Sequence, residues 1–415
     1  MYQVGKNFVN TADQRIARKG KRLFVNAFET HEDIGTLAKL TSWILHNPQT
    51  NNVVLYFPQH FRVFPNTIAP LACMVNHLRS SGVTVTIHNE VPELDETCFD
   101  SPRLPTPENL SEMATPSGIV WKYTNSAEIA ALLDTVVEYL ARKLVCEQGV
   151  LLALEWCMNE MLDNVFQHAN VSSGYFMFQL QQERRRLSFC VADQGIGVLQ
   201  SFSGSRYKPS SAVDAITLAL QRGVTTNDEC QGNGLWGASE IITLNRGQMT
   251  ISSGGGAIFY NRQTGQIKNF DTVYVLDRAS PGTIIDVQLD ASRSIDLLTA
   301  FHGDFDPVNL RIESMEDTQG FLVLPLKKAS VGTGTRAAGR DMRFYVQNLI
   351  QSSGQPVLID FAGIGMVSSS YADEFIGKLY KELTPEVLGE RLRFSNLSPT
   401  VKLIITNAIA MRRGH

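Results

Sequence analysis

In the stretch from Leu154 to Ala169, LEWCMNEMLDNVFQHA, the residues Glu160, Asn164 and His168 recur every fourth position among apolar neighbours. On an α-helix that spacing lines up a carboxylate, an amide and an imidazole on one face. Trp156, Met161, Leu162, Val165 and Phe166 spread round the rest of the turn, as in a helix packed into a core while walling a polar cavity. A carboxylate so placed can polarise a water, and an amide oxygen one turn along can ligate a hard cation.

Two glycine turns follow. Asp193-Gln194-Gly195-Ile196-Gly197 leaves the apolar run Leu187 to Ala192, where a buried carboxylate is costly without a partner. Gly232-Asn233-Gly234-Leu235 opens a second helix, and backbone N–H groups at a helix start bind phosphate without a lysine. These three ordered signals resemble the N, G1 and G2 boxes of the GHKL ATPase superfamily, here Asn159 to Ala169, Asp193 to Gly197 and Gly232 to Gly237.

The resemblance implies a central α/β sandwich (the Bergerat fold) that binds ATP with Mg²⁺. By it, Glu160 polarises the water that attacks the γ-phosphate, Asn164 ligates Mg²⁺ and Asp193 accepts from the adenine amino group. Gly195, Gly197, Gly232, Gly234 and Gly237 then hold the nucleotide. Thr283, in Pro281-Gly282-Thr283, matches the family's G3 position near the Asp193 water network, and a plain turn is the competing reading. His168 lies near the phosphates or caps the helix end. Leu199 to Gln231 corresponds to the ATP lid, with Arg206, Lys208 and Arg222 as candidate γ-phosphate contacts. One departure stands out: Trp236 occupies a position where the family has glycine, so it narrows the phosphate cradle or packs against the lid, and slow turnover is expected.

The elements that must position these residues fall into three α/β units. Residues 1–92 alternate strand-like and helix-like segments, a small unit whose strands are expected to be buried on both faces. Residues 93–125 read as a linker rich in Pro, Ser, Thr and Glu. The ATP-binding domain is expected over 126–290. It begins with a helix from Ser126 to about Glu147, and its hairpin SGYFMFQLQQ/RLSFCVAD turns at a solvated Arg184-Arg185-Arg186. A connector, 291–315, leads to a C-terminal unit, 316–415, with the order β, α, β, α, β, α.

The C-terminal unit resembles STAS-like domains related to anti-sigma-factor antagonists, through Val357 to Lys378, where Asp-Phe at a strand end precedes a serine run and a helix. The resemblance implies a phosphoacceptor at Ser370, with Ser369 second, although Tyr371 stands where phosphorylated antagonists have glycine. Serine is also a common N-cap, which explains the run without phosphate. The first unit aligns with the third without a gap, Phe57 on Phe361, Val63 on Val367 and Asn66 on Ser370, which makes it a candidate second STAS-like unit.

Composition bounds the rest. At 43% hydrophobic residues the chain reads as globular, and a net charge of −4 argues against general nucleic-acid binding. Six scattered cysteines without zinc spacing read as buried thiols, and the absence of a signal-like or membrane-spanning run predicts a cytoplasmic protein. The leading expectation is an ATP-binding regulatory protein with slow Mg²⁺-dependent hydrolysis and protein partners engaged through the STAS-like units, self-association being one option. The alternatives are a serine kinase of the anti-sigma-factor type and a non-catalytic nucleotide-holding scaffold. A histidine kinase fits worst, because no helical hairpin with a phosphoacceptor His precedes the N box.

Overall fold

Apolar runs broken by turn glycines fold into three sheets in the computed structural model, which describes residues 15–46, 51–58, 61–113, 115–226, 232–261, 266–270, 281–303 and 309–413. The architecture is mixed α/β. The chain divides into two units, Met1–Val136 with Cys157–Gln181 and Arg186–Asp290, and Val137–Trp156 with Gln182–Arg185 and Ala291–His415.

The first unit holds two sheets. Strands β1 (Ile16–Lys19), β2 (Arg22–Val25), β3 (Asn52–Phe57) and β4 (Thr84–Asn89) lie in chain order. β1 and β2 form an antiparallel hairpin, while β2, β3 and β4 run parallel, as crossover helices α1 (His31–Leu45) and α2 (Pro65–Ser80) require. The expectation of burial on both faces is corrected here. Val53, Leu55 and Phe57 are buried, whereas Asn52, Val54 and Tyr56 between them are only half-buried. α1 and α2 pack on each other and cover one face, leaving the other half-open.

Helix α2 is buried nearly all round because its second side meets the seven-stranded antiparallel sheet. That sheet has the order β10 (Gln266–Phe270), β9 (Gly256–Asn261), β8 (Gln248–Ser253), β11 (Thr283–Asp290), β7 (Arg186–Asp193), β6 (Gly174–Gln181), β5 (Val120–Tyr123). Cys73 and Met74 of α2 share one core with Met177, Cys190, Ala192 and Ile284 of the sheet. The segment 93–125 carries short helices α3 (Pro92–Asp95) and α4 (Pro107–Glu112) as well as β5. On the sheet's other face lies α6 (Val150–His168), tied to β5 by the Tyr123 hydroxyl donating to the Leu162 carbonyl at 3.3 Å and by an edge-on Tyr123–Phe166 ring contact. Helix α5 (Ser126–Lys143) precedes it, and α7 (Gly197–Ser201), α8 (Ala212–Ala219) and α9 (Gly234–Asn245) follow β7.

In the second unit three parallel strands, β12 (Leu322–Pro325), β13 (Val357–Asp360) and β14 (Leu392–Ser395), pair in chain order. Its helices include Arg336–Ser352 and Pro399–Arg413. Buried Asn348 accepts from the Cys146 N–H at 2.8 Å and donates to the Ala141 and Leu144 carbonyls at 2.7 Å, capping the C-terminal end of α5. Arg185 is not a solvated turn residue: it donates to the Val145 carbonyl at 2.7 Å. Four cysteines, Cys73, Cys146, Cys157 and Cys190, are buried as expected, Cys98 is half-buried, and Cys230 lies outside the described residues. No helix among the described residues is long and apolar enough to cross a membrane.

Candidate functional site

Antiparallel register brings Asp193, at the end of β7, opposite Thr283, at the start of β11, which in turn faces Ser253, at the end of β8. Three polar side chains from distant segments thus share one sheet end. Asp193 is only 4% exposed. Its Oδ1 accepts from the Gly195 N–H at 2.7 Å, and burial pushes its carboxyl up to about 7, against the pull of backbone N–H groups of Gly195 and Thr283. A carboxylate kept acceptor-rich and dry suits recognition of a polar N–H group.

The turn after Asp193 is held from three sides. Ile196 N–H donates to the Ala169 carbonyl just past α6 at 2.9 Å, and the Gly195 carbonyl accepts from the Gly282 N–H at 2.9 Å. Ser253 Oγ accepts from the Val198 N–H at 2.8 Å and donates to the Gly282 carbonyl at 2.9 Å, and it lies 3.2 Å from Thr283 Oγ1. Gly197 adopts φ of +73°, the left-handed region that a side chain would strain. Ser253 is the residue that sequence reasoning missed. Its only signal was position at the end of the strand run QMTISS, and its role appears only when β8 and β11 pair.

On α6, Glu160 and Asn164 are both half-buried and one turn apart. Burial, with a smaller contribution from Asp163, raises the Glu160 carboxyl above the usual carboxylate range. Glu160 Oε2 lies directly over the Cα of Gly234 at the start of α9, so close that a Cβ there would overlap it. The first backbone bond of α9 runs from the Gly237 N–H to the Asn233 carbonyl at 2.7 Å, so the amides before it point out of the helix end. Gly232, with φ of +68°, abuts the Val224 backbone, and its carbonyl accepts from the Gly223 N–H at 3.1 Å. Residues 227–231, the end of the proposed lid, lie outside the described residues.

His168 ends α6, and its Nδ1 lies 3.1 Å from Thr226 Oγ1, the interval read as the lid. Burial lowers its pKa, which favours the neutral ring. Trp236 is buried with the Arg222 guanidinium 5.2 Å above its ring, so it packs against that same interval. Arg222 thereby has an aromatic partner in this conformation. Arg206 folds onto its neighbour, donating to the Tyr207 hydroxyl at 2.7 Å, and Lys208 is exposed in the loop before α8. These two lid candidates are not gathered at the sheet end by any contact among the described residues.

On the back of this sheet end, buried Cys73 of α2 places Sγ 4.0 Å from the Gln194 side chain, between Asp193 and Gly195 in sequence. Among the described residues no group of three or more His, Cys, Asp or Glu side chains could hold a metal.

Ser369 and Ser370 belong to the second unit. Ser368, not either of them, caps the helix, its Oγ accepting from the Tyr371 N–H at 3.0 Å. Ser370 Oγ lies 3.0 Å from Ser368 Oγ and is half-buried, whereas Ser369 is exposed. Tyr371 is buried and donates to Ser330 Oγ at 3.1 Å.

Residues 338–402 match the family described as a STAS-like domain of unknown function (DUF4325). The C-terminal part of the chain thus contains a STAS-like domain. No curated protein matches the chain.

Proposed function

We propose that the chain is an ATP-binding regulatory protein of the GHKL type, in which slow Mg²⁺-dependent hydrolysis drives a switch in the lid and in partner binding. One observation carries this reading: a buried acceptor, Asp193, and a glycine helix start, Gly234, lying under Glu160, are built on the same sheet and its covering helices. In this reading the adenine amino group donates to Asp193, and the phosphates meet the amides at the start of α9. Glu160 takes a proton from a water whose oxygen bonds the γ-phosphorus, while the bond to the β–γ bridging oxygen breaks and ADP leaves. Asn164 would contribute one oxygen to Mg²⁺, which when bound supplies charge neutralisation on the phosphates. The STAS-like domain would read out nucleotide state by contacting a protein partner, a second copy of the chain included.

ATP turnover and nucleotide binding by the purified chain test the assignment. Glu160→Ala should bind ATP yet hydrolyse it about 10²-fold or more slowly, while Asn164→Ala and Asp193→Asn should lose binding. Equal ATP affinity in wild type and Asp193→Asn would remove the adenine role. With the Asp193 carboxyl raised to about 7, ATP affinity should fall as pH drops through that value, because protonation removes the acceptor.

A second reading, phosphotransfer to the STAS-like domain, draws on the exposure of Ser369 at a helix start. Label retained from γ-labelled ATP on wild type, and lost in Ser369→Ala or Ser370→Ala, would favour it. Release of all label as free phosphate would exclude it. A non-catalytic scaffold predicts unchanged cellular function in Glu160→Ala.

A further inference from the structure

A cavity of about 840 Å³ opens in the first unit between the loop that leads into α2, the helix α3 and the segment that enters β5. Its walls differ in chemistry. Phe61, Val63, Phe64 and Ile119 make an apolar side, with the Phe61 ring resting 6.0 Å from that of buried Phe57. Glu29, Glu93 and Glu96 bring carboxylates, the last two from the acidic run Glu90-Val91-Pro92-Glu93-Leu94-Asp95-Glu96. Among the described lining side chains these three stand against the Arg62 guanidinium. Glu29 is engaged within the protein, by the Arg62 N–H at 3.1 Å and the Arg15 guanidinium at 3.9 Å, whereas Glu93 and Glu96 are exposed. Gln179 of β6 completes the wall. Its Nε2 donates to the Val63 carbonyl at 3.1 Å, which fixes the amide, and its Oε1 is buried without a partner among the described residues. Gln179 pairs with Ser188, five residues or about 17 Å along β7 from Asp193, so the cavity lies away from the proposed adenine contact.

We propose that this cavity binds an organic cation, a primary ammonium or guanidinium group on an apolar stem. The stem lies along Phe61, Phe64 and Ile119, the charged head faces Glu93 and Glu96, and an N–H donates to Gln179 Oε1. The volume is that of small-molecule sites, which combine apolar walls with a few fixed polar groups. A buried amide oxygen without a donor is rare in native proteins, and a ligand rich in N–H groups supplies one. An anion brings no such donor and meets the carboxylates, while a neutral apolar ligand leaves both unanswered. Aromatic faces attract a cation as well as an alkyl chain. A bare metal ion fits poorly, since no three His, Cys, Asp or Glu side chains among the described residues are grouped to hold one. The same chemistry is carried by a free amine and by a lysine or arginine side chain of a protein partner.

The test is a ligand-observed NMR titration of the full chain, without nucleotide, with three probes: 4-phenylbutylamine, its uncharged counterpart 4-phenylbutanol, and a capped Phe-Arg dipeptide. The amine should bind about tenfold or more tightly than the alcohol, and added salt should narrow the gap. Tighter binding of the dipeptide than of the amine assigns the site to a partner's basic side chain, and the reverse order assigns it to a free small molecule. The surface double variant Glu93→Gln/Glu96→Gln should weaken amine binding about tenfold. Gln179→Leu, with folding verified by circular dichroism, should weaken it about as much. Asp193→Asn should leave it unchanged, since that carboxylate is remote from the cavity. No binding of either cationic probe, equal affinity for amine and alcohol, affinity retained in both the double variant and Gln179→Leu, or affinity lost in Asp193→Asn would overturn the proposal.

Discussion

Glu160 sits where it does because Gly234 has no side chain. A Cβ at Gly234 would meet only the far end of the Glu160 side chain, which can swing aside. Gly234→Ala is therefore expected to keep the fold while displacing the carboxylate, and under the proposed chemistry ATP turnover should drop with thermal unfolding nearly unchanged. Gly195 presents the opposite case. A Cβ there would run into the Ala169 carbonyl, a backbone atom fixed by the Ile196 N–H bond. Gly195→Ala should cost about 1–3 kcal/mol of stability, read by denaturant unfolding. The helical spacing of Glu160, Asn164 and His168 was legible in sequence because period alone sets the face. What His168 touches was not, since Thr226 is far along the chain and meets it only through tertiary folding.

At the scale of elements, β11 carries a second raised carboxylate that the proposed chemistry does not use. Asp286, opposite Cys190 and Thr250, is buried and accepts one bond, from Gln288 Nε2 at 3.1 Å, and burial pushes it up to about 7. A folded-state pKa above the unfolded value means the native state holds the extra proton. Its contribution to stability is present near pH 4 and is lost as pH rises to about 7. Asp286→Asn should thus raise the melting temperature at pH 8 more than at pH 5. Hydrophobic alternation announced the β6–β7 hairpin, and apolar segments between helical stretches announced the strands of residues 1–92, read as buried on both faces. Neither revealed that α1 and α2 share one face of β2–β4, because strand pattern does not say on which side a crossover passes. Likewise the aligned pair Asn66 and Ser370 do occupy matching second positions of α2 and of the helix beginning at Ser369. The hydroxyl that caps the latter, Ser368, has Phe64 as its counterpart before α2.

For the molecule as a whole, the second unit gathers the end of α5, the start of α6 and the STAS-like segment around Asn348. Removing its buried amide in Asn348→Ala leaves one N–H and two carbonyls without that partner, and a loss of about 1–3 kcal/mol is expected in urea unfolding of the full chain. Nearby, Lys143 pairs with Asp341 at 2.5 Å and Arg142 donates to the Ala329 carbonyl at 2.6 Å. Period, apolar runs and turn glycines settled, from sequence alone, the α6 helix with its polar face, the strand before Asp193, the helix start at Gly234 and the strand–helix alternation of the C-terminal unit. These are local properties, dictated by neighbours within a turn or a strand. Only tertiary structure decided that Ser253 joins Thr283 and Asp193 at one sheet end, that the lid residue over Trp236 is Arg222 and that α2 is sandwiched between two sheets. Each depends on which strands pair and in what register, and pairing is chosen by the burial available across the fold rather than by any stretch of residues.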